Sequence, residues 1–260
     1  MKPAIVGLRQ AISKSQRIQH VISGFYIYHQ DIYNMMRPSS SSITSETTLD
    51  LSMLPSLTLY GDLNMRPFRN AWMLEELQLP YKHIPCKPWS RTAKSINPLG
   101  KIPALMVDYQ KGTTNDKVLR FVVLESAAIN TFLGDLSREY TKFNKNEAVA
   151  CPSLVPPPGT IHRARYESLV SFMMTELDAQ SLWIHRKHGD LFNVFGEAPI
   201  AVREAKRQFD NSLKVMEDEL CIGSDGECSY LISGGFSAVD ILFVHCCSWA
   251  EHIGWLVKKE

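Results

Sequence analysis

The chain has 260 residues, of which 45% are hydrophobic, and its 28 basic and 27 acidic side chains leave a formal net charge of +1. This length and apolar content predict a soluble globular protein with one large or two small domains. The net charge provides no global field for nucleic acid or an anionic membrane, and no apolar run is long enough to span a bilayer, so neither partner is expected.

Residues 1–55 are predicted to be an N-terminal extension outside the fold. Between Lys2 and Arg37 five basic side chains accompany one acid, Asp31, and a serine run follows at residues 39–42. This bias is typical of an organelle transit peptide, and a disordered tail or an over-extended gene model are the alternatives. The expected location is therefore cytoplasmic, or mitochondrial or plastid if residues 1–50 act as a transit peptide.

Residues 56–137 predict a small α/β domain. Strands are expected at residues 57–60, 81–86, 104–108 and 119–124, and helices at 67–77, at 90–96 and from Ser126 onward. A polar hairpin connection at residues 112–116 joins the last two strands. The order β-α-β-α-β-β-α puts a parallel crossover first and a hairpin second, which predicts a mixed sheet flanked by helices.

The pattern of residues 138–160 predicts a linker, and the pattern of residues 161–260 predicts an all-α domain. The linker carries four prolines in quick succession, which no regular element accommodates. The helical half has periodic segments at residues 166–188, at 198–220 and from 238. Ser237 and Asp240 form a capping-box variant at the start of the last helix, with Phe236 and Ile241 placed as a hydrophobic staple.

Four motifs in chain order resemble the glutathione transferase superfamily: LTLYGD followed by LEELQLPY, NPLGKIPAL, VLESAAI and GGFSAVDI. The resemblance extends over most of the chain, from Leu57 to Trp255. It implies a thioredoxin-like domain followed by an all-helical domain, in agreement with the predicted element order. The chain stops at Glu260, where family members carry another helix or two, so either the sequence is truncated or the pocket is unusually open.

The resemblance implies a glutathione site in the first domain. A cis bond between Ile102 and Pro103 is expected to present the Ile102 backbone to the cysteinyl part of glutathione, in the manner of an added strand. Ser126 is expected as an N-cap that binds the γ-glutamyl carboxylate, with Glu125 on its α-amino group. Trp89 and Lys101 are candidates for the glycyl end.

The resemblance also implies that the protein activates the thiol of glutathione with one hydrogen-bond donor aimed at the sulfur. In the family this donor is a Ser in the loop after the first strand or a Tyr at the end of that strand. The Ser position is occupied here by Met65, so Tyr60 is the predicted donor and the Asn64 amide the second candidate. Because the loop has no Cys, thiol-transferase chemistry is not expected.

The resemblance therefore implies a glutathione transferase that conjugates reduced glutathione, as co-substrate, to a small hydrophobic electrophile. A homodimer with a role in detoxification is expected. The alternative is a domain of the same fold that binds glutathione or a protein partner without turnover. Intact IPAL and ESAAI motifs favour glutathione binding, whereas the missing Ser favours loss of catalysis.

Other polar groups are interpreted as structural. The six cysteines show no CxxC pair and no zinc spacing, so reduced thiols are expected, with Cys246 and Cys247 in the core. His185 and His188 are spaced to share a metal, but their basic neighbours favour a solvated helix face, and no metal is expected. Arg69 is interpreted either as a counter-charge to the thiolate or as a surface charge.

Overall fold

The computed structural model describes residues 54–109, 119–144, 153–222, 230–232 and 235–256. The predicted N-terminal extension up to residue 53, the hairpin connection at 112–116 and part of the linker lie outside the described residues. The described residues belong to two compact units. The sheet unit takes its residues from Pro38–Thr175 and Ile232–His245, and the helical unit takes its residues from Glu176–Leu231 and Cys246–Glu260.

The sheet unit has the predicted order of strands and helices. Its elements are β1 (Ser56–Tyr60), α1 (Pro67–Glu76), β2 (Tyr81–Ile84), α2 (Arg91–Ile96), β3 (Ala104–Tyr109), β4 (Leu119–Leu124), α3 (Ser126–Asn144) and α4 (Ile161–Phe172). The sheet order is β2-β1-β3-β4, with β1 and β2 parallel and the other two pairs antiparallel. β2 ends before the predicted residue 86 because Pro85 has no N–H to continue the ladder.

The two faces of the sheet follow from the register. Leu59 lies opposite Leu105, and Leu57 opposite Val107, which in turn lies opposite Phe121. The Phe121 ring contacts Phe132 of α3 at a centroid distance of 5.8 Å. The apolar face of the sheet is therefore packed against α3, and the four aliphatic side chains are all buried.

Helix α4 begins at Ile161, earlier than the predicted residue 166. Thr160 is its N-cap, because the Thr160 side chain accepts a hydrogen bond from the Arg163 N–H at 3.1 Å. The chain then continues as a π-helical segment, Met173–Leu182, the short helix α5 (Trp183–His185) and a second π-helical segment, Arg186–Asp190. Nothing in the apolar spacing of the sequence predicts these wider turns.

The helical elements that follow are α6 (Phe192–Phe195), α7 (Pro199–Ile222) and α8 (Ala238–His252). In the helical unit the fully buried Phe209 contacts Trp255 at a ring-centroid distance of 5.6 Å. At the start of α8 the Ser237 N–H and hydroxyl both donate to Asp240 Oδ2, at 2.9 and 2.8 Å, which forms the carboxylate half of the predicted capping box, while the Asp240 N–H donates to the Ser237 carbonyl. None of the described helices is long and apolar enough to cross a bilayer.

Candidate functional site

The loop after β1 is held against β2 and the start of α1. The Gly61 N–H donates to the Ile84 C=O at 3.1 Å, and His83 Nε2 lies 2.8 Å from the Gly61 carbonyl oxygen. Gly61 has φ 144°, and a Cβ built on it would lie 2.3 Å from Pro67 Cγ. Only glycine can therefore occupy this position without moving the loop.

Asp62 organises the same loop. Its Oδ1 accepts hydrogen bonds from the Asn64 backbone N–H and from Asn64 Nδ2, both at 3.0 Å, and its Oδ2 accepts one from Lys87 Nζ. The Lys87 hydrogen bond, with those of Asn64, holds the pKa of the Asp62 carboxyl below its usual value. Asn64 is exposed, and its amide has a second N–H that the Asp62 bond does not use.

Tyr60 is placed differently from what its proposed role requires. A role in thiol activation requires the strand alternation to break at Tyr60, but Tyr60 pairs in register with both Ile84 and Ala104. Its side chain is 8% exposed. Arg120 and Tyr60 share the sheet face opposite the one that packs on α3.

The backbone before β3 is open to a ligand. The Ile102–Pro103 peptide bond is cis, as predicted, and Pro103 is buried while Ile102 is half-buried. Among the backbone hydrogen bonds of the described residues outside regular elements, none uses the Ile102 N–H or C=O. Strand-like pairing with an extended ligand would use these two groups.

Trp89 and Lys101 flank the same region. Trp89 has φ 60°, its N–H donates to the Gly100 carbonyl at 2.7 Å, and its side chain is 44% exposed. Lys101, next to Gly100, is exposed, and its carbonyl oxygen accepts a hydrogen bond from Asn97 Nδ2 at 3.1 Å. A tryptophan with positive φ and an exposed ring is unusual, and such backbone strain often marks a binding site.

Glu125 and Ser126 form the junction between β4 and α3. Glu125 is exposed with φ 69°, and its carbonyl accepts the first helical hydrogen bond, from the Ile129 N–H at 2.9 Å. Glu125 is therefore the residue that precedes the helix, and Ser126 is the first helical residue. The prediction that Ser126 is the N-cap was wrong by one position, because the Glu125 carbonyl already accepts the first helical hydrogen bond and the helix therefore begins one residue earlier.

Ser126 is buried and held from two sides by α1. Its Oγ lies 3.1 Å from Arg69 Nη1, and its carbonyl oxygen accepts a hydrogen bond from Asn70 Nδ2 at 2.8 Å. Asn70 Nδ2 also donates to Asn130 Oδ1 at 2.7 Å. Arg69 is fully buried, so its interpretation as a surface charge is wrong. Its position among the apolar residues of α1, beside Phe68 and Ala71, is the signal in the sequence that could have indicated burial.

The described histidines and cysteines do not form a metal site. Over the described ranges, no group of three or more His, Cys, Asp or Glu side chains is arranged to hold a metal ion. His185 Nδ1 lies 3.7 Å from Asp190 Oδ1, whereas His188 Nδ1 lies 2.8 Å from the Gly196 carbonyl oxygen, so the two histidines have separate partners. Burial, followed by the nearby Asp62, raises the pKa of the Cys86 thiol, which keeps it protonated.

Comparison with known proteins finds a family model for the first domain. Residues 67–136 match the family model described as the glutathione S-transferase N-terminal domain. No curated protein matches the chain. The fold is thus the two-domain glutathione transferase architecture, a thioredoxin-like domain followed by an all-helical part. The matched residues contain the motifs LEELQLPY, NPLGKIPAL and VLESAAI, so the family model agrees with the resemblance in this part of the chain.

Solved structures share this fold at low sequence identity. A glutathione transferase from Methylococcus capsulatus has a TM-score of 0.54 and 21% identity, with 76% of this chain and 84% of that chain covered. The glutathione transferase URE2P8 from Phanerochaete chrysosporium, solved with oxidized glutathione, has a TM-score of 0.55 and 21% identity over 79% and 82%. A homolog from Lodderomyces elongisporus with two GSH per subunit has a TM-score of 0.56 and 18% identity over 77% and 86%.

Proposed function

We propose that the protein binds reduced glutathione in its sheet unit and conjugates it to small hydrophobic electrophiles. The γ-glutamyl end is assigned to Glu125 and Ser126, the cysteinyl backbone to Ile102 beside Pro103, and the glycyl end to Trp89 and Lys101. Structures of the same fold that contain oxidized or reduced glutathione support glutathione binding, and the residue assignment follows from the resemblance.

The junction of Glu125 and Ser126 is the observation that carries glutathione binding. Glu125 is not a glycine, yet its φ is 69°, a conformation that costs roughly 1–3 kcal/mol and persists where the structure has a use for it. The strained residue directly precedes the 19-residue helix α3, whose first N–H groups and dipole attract a carboxylate. A ligand end that carries an amine and a carboxylate on the same carbon fits this junction. Its amine would contact the Glu125 carboxylate, and its carboxylate would contact the N-terminus of α3.

Conjugation requires that the protein stabilise the thiolate of bound glutathione, because a free thiol has a pKa of about 8.5. Two donors are available for this step. Asn64 lies in the exposed loop with one amide N–H uncommitted by Asp62, whereas Tyr60 is buried in a regular strand. This geometry favours Asn64, so the proposal assigns the thiolate contact to Asn64 first and to Tyr60 second.

Glutathione binding without turnover is the second candidate function. Two observations support this alternative. Met65, at the family's Ser position, has no hydroxyl, and Tyr60 lies in the regular register of the strand.

We also propose a homodimer, on the basis of the family resemblance. A cytoplasmic, mitochondrial or plastid location is proposed from the composition of residues 1–50.

Two measurements on the full chain distinguish these functions. Calorimetry with reduced glutathione tests binding, and turnover of a generic aromatic electrophile under the same conditions tests conjugation. Binding together with glutathione-dependent turnover supports the transferase. Binding with turnover no faster than the uncatalysed reaction supports the binding domain, and the absence of binding contradicts both functions.

A further inference from the structure

Arg69 has an unusual position for a charged side chain. It lies in the first turn of α1, which begins at Pro67, and it is fully buried. The helix dipole disfavours a cation in a first turn, and burial removes the guanidinium from water. Neither the first-turn position of the cation nor its burial stabilises the helix. The groups that the guanidinium contacts therefore decide what this arginine does.

The contacts of Arg69 point to the start of α3. Arg69 Nη1 lies 3.1 Å from Ser126 Oγ and 3.5 Å from Met174 Sδ. A serine hydroxyl has one proton to donate, whereas a guanidinium only donates. Ser126 Oγ is therefore the acceptor in this pair, and its proton must point away from Arg69. The Asn70 hydrogen bond to the Ser126 carbonyl holds the backbone of the same residue.

A hydroxyl that accepts a hydrogen bond from a buried cation becomes a stronger donor, because the bonds in such a chain polarise one another. The polarised Ser126 hydroxyl lies at the N-terminus of α3, where the helix dipole adds to the positive potential. The exposed Glu125 carboxylate at the same junction repels a simple anion but attracts an amine. The combination selects a ligand group that carries a carboxylate and an amine together.

We propose that Arg69 is a positioning residue for the α-carboxylate of the γ-glutamyl group and that it acts through the Ser126 hydroxyl. This inference rests on the proposed function, since it assigns the γ-glutamyl end of glutathione to the same junction. Arg69 makes no direct contact with the ligand. Its buried charge determines how strongly the site prefers a charged carboxylate to a neutral group of the same shape.

The test compares glutathione with an analogue whose γ-glutamyl α-carboxylate is converted to a primary amide. Calorimetry on the wild type is expected to show the analogue bound at least about tenfold more weakly. Arg69→Gln keeps an N–H donor but removes the charge. We expect this variant to bind glutathione about 10- to 100-fold more weakly than the wild type, with the affinity for the analogue within about twofold of the wild type. Arg69→Lys, which restores the charge, is expected to recover most of the preference.

Arg163→Gln is the matched control, because Arg163 is a partly buried arginine of the same unit that pairs with Asp135. It should leave both affinities unchanged. Equal weakening of the two ligands in Arg69→Gln indicates a merely structural role and overturns the inference. A wild-type preference below about threefold also overturns it and needs no folded variant. A wild type that binds neither ligand contradicts the proposed function itself, and this inference with it.

Discussion

Gly134 of α3 lies against Val155 of the proline-rich linker so closely that a Cβ on Gly134 would be 2.4 Å from Val155 Cγ2. The same Cβ would lie 2.5 Å from the Ser153 carbonyl oxygen. Both distances are too short for any real contact, so the linker follows this path only because the helix has no side chain at this position.

Gly134→Ala is therefore expected to lower the free energy of unfolding by about 1–3 kcal/mol, the usual cost of overpacking. The sign of the stability change is informative, because alanine in place of glycine inside an unobstructed helix stabilises the protein by about 1 kcal/mol. The denaturant midpoint measures the change. Adding Val155→Ala should recover only part of the lost stability, since the clash with the Ser153 carbonyl remains. A denaturant midpoint that is higher in Gly134→Ala than in the wild type would contradict this close packing.

Asp135 joins α3 to two arginines that also bind the linker. Its carboxylate accepts hydrogen bonds from Arg138 at 2.6 Å and from Arg163 at 3.0 and 3.1 Å. Arg163 in turn donates to the Pro156 carbonyl at 3.1 Å. Burial raises the pKa of the Asp135 carboxyl, but the hydrogen bonds and charges of Arg163 and Arg138 outweigh it and hold the pKa below its usual value.

Asp135→Asn should cost about 1–2 kcal/mol near neutral pH, the scale of hydrogen bonds to a charged group at a partly exposed site. A lowered pKa in the folded state stabilises the protein above the unfolded value of about 3.9, and this contribution is lost as pH falls through the folded value. The stability difference between wild type and variant, measured by denaturant titration, should therefore be largest near neutral pH and shrink in acid. A pH-independent difference would contradict this role.

Ser126→Ala is expected to weaken glutathione binding by about 1–3 kcal/mol, the cost of leaving a charged ligand group unpaired. The Asn70 contact to the Ser126 carbonyl is kept, but the Arg69 contact to the hydroxyl is lost, so circular dichroism of the variant is compared with the wild type first. Ser137→Ala removes another buried hydroxyl from the same helix and serves as the control. Calorimetry that finds equal glutathione affinity in the wild type and a folded Ser126→Ala variant would remove this assignment.

Asn64→Ala is expected to leave glutathione affinity nearly unchanged and to lower turnover by about 10- to 1,000-fold, the scale seen when one stabilising donor is removed. Tyr60→Phe should change turnover far less, given its position in the strand. The thiolate absorbance of bound glutathione, titrated with pH in the wild type and both variants, measures the effect directly.

Asp62→Asn is the control for loop geometry, because it weakens the Asp62 contacts but keeps the Asn64 amide. A thiolate titration shifted only in Tyr60→Phe would reverse the order of the two donors. Thiolate titration curves that match free glutathione in the wild type and in every variant would favour a domain that binds glutathione without turnover.

The cis bond before Pro103 was predicted from the family resemblance. The sequence by itself determined the element order of the sheet unit and the contact of Ser237 with Asp240 at the start of α8. These features depend on short-range signals: period-2 and period-3.6 apolar spacing, prolines, and capping side chains a few residues apart. The same local signals placed β4 correctly at both ends.

Only the tertiary structure decided what surrounds the candidate site. The hydrogen bond of the buried Arg69 to Ser126 joins residues 57 positions apart in the chain, which no local pattern reports. The side of the sheet that carries the Tyr60 ring follows from the register with Ala104, and the exposure of Asn64 follows from how Asp62 folds the loop. Residue identity fixes which groups can donate a hydrogen bond, but long-range packing fixes their direction, because a side chain's orientation depends on neighbours that the chain brings together only when it folds.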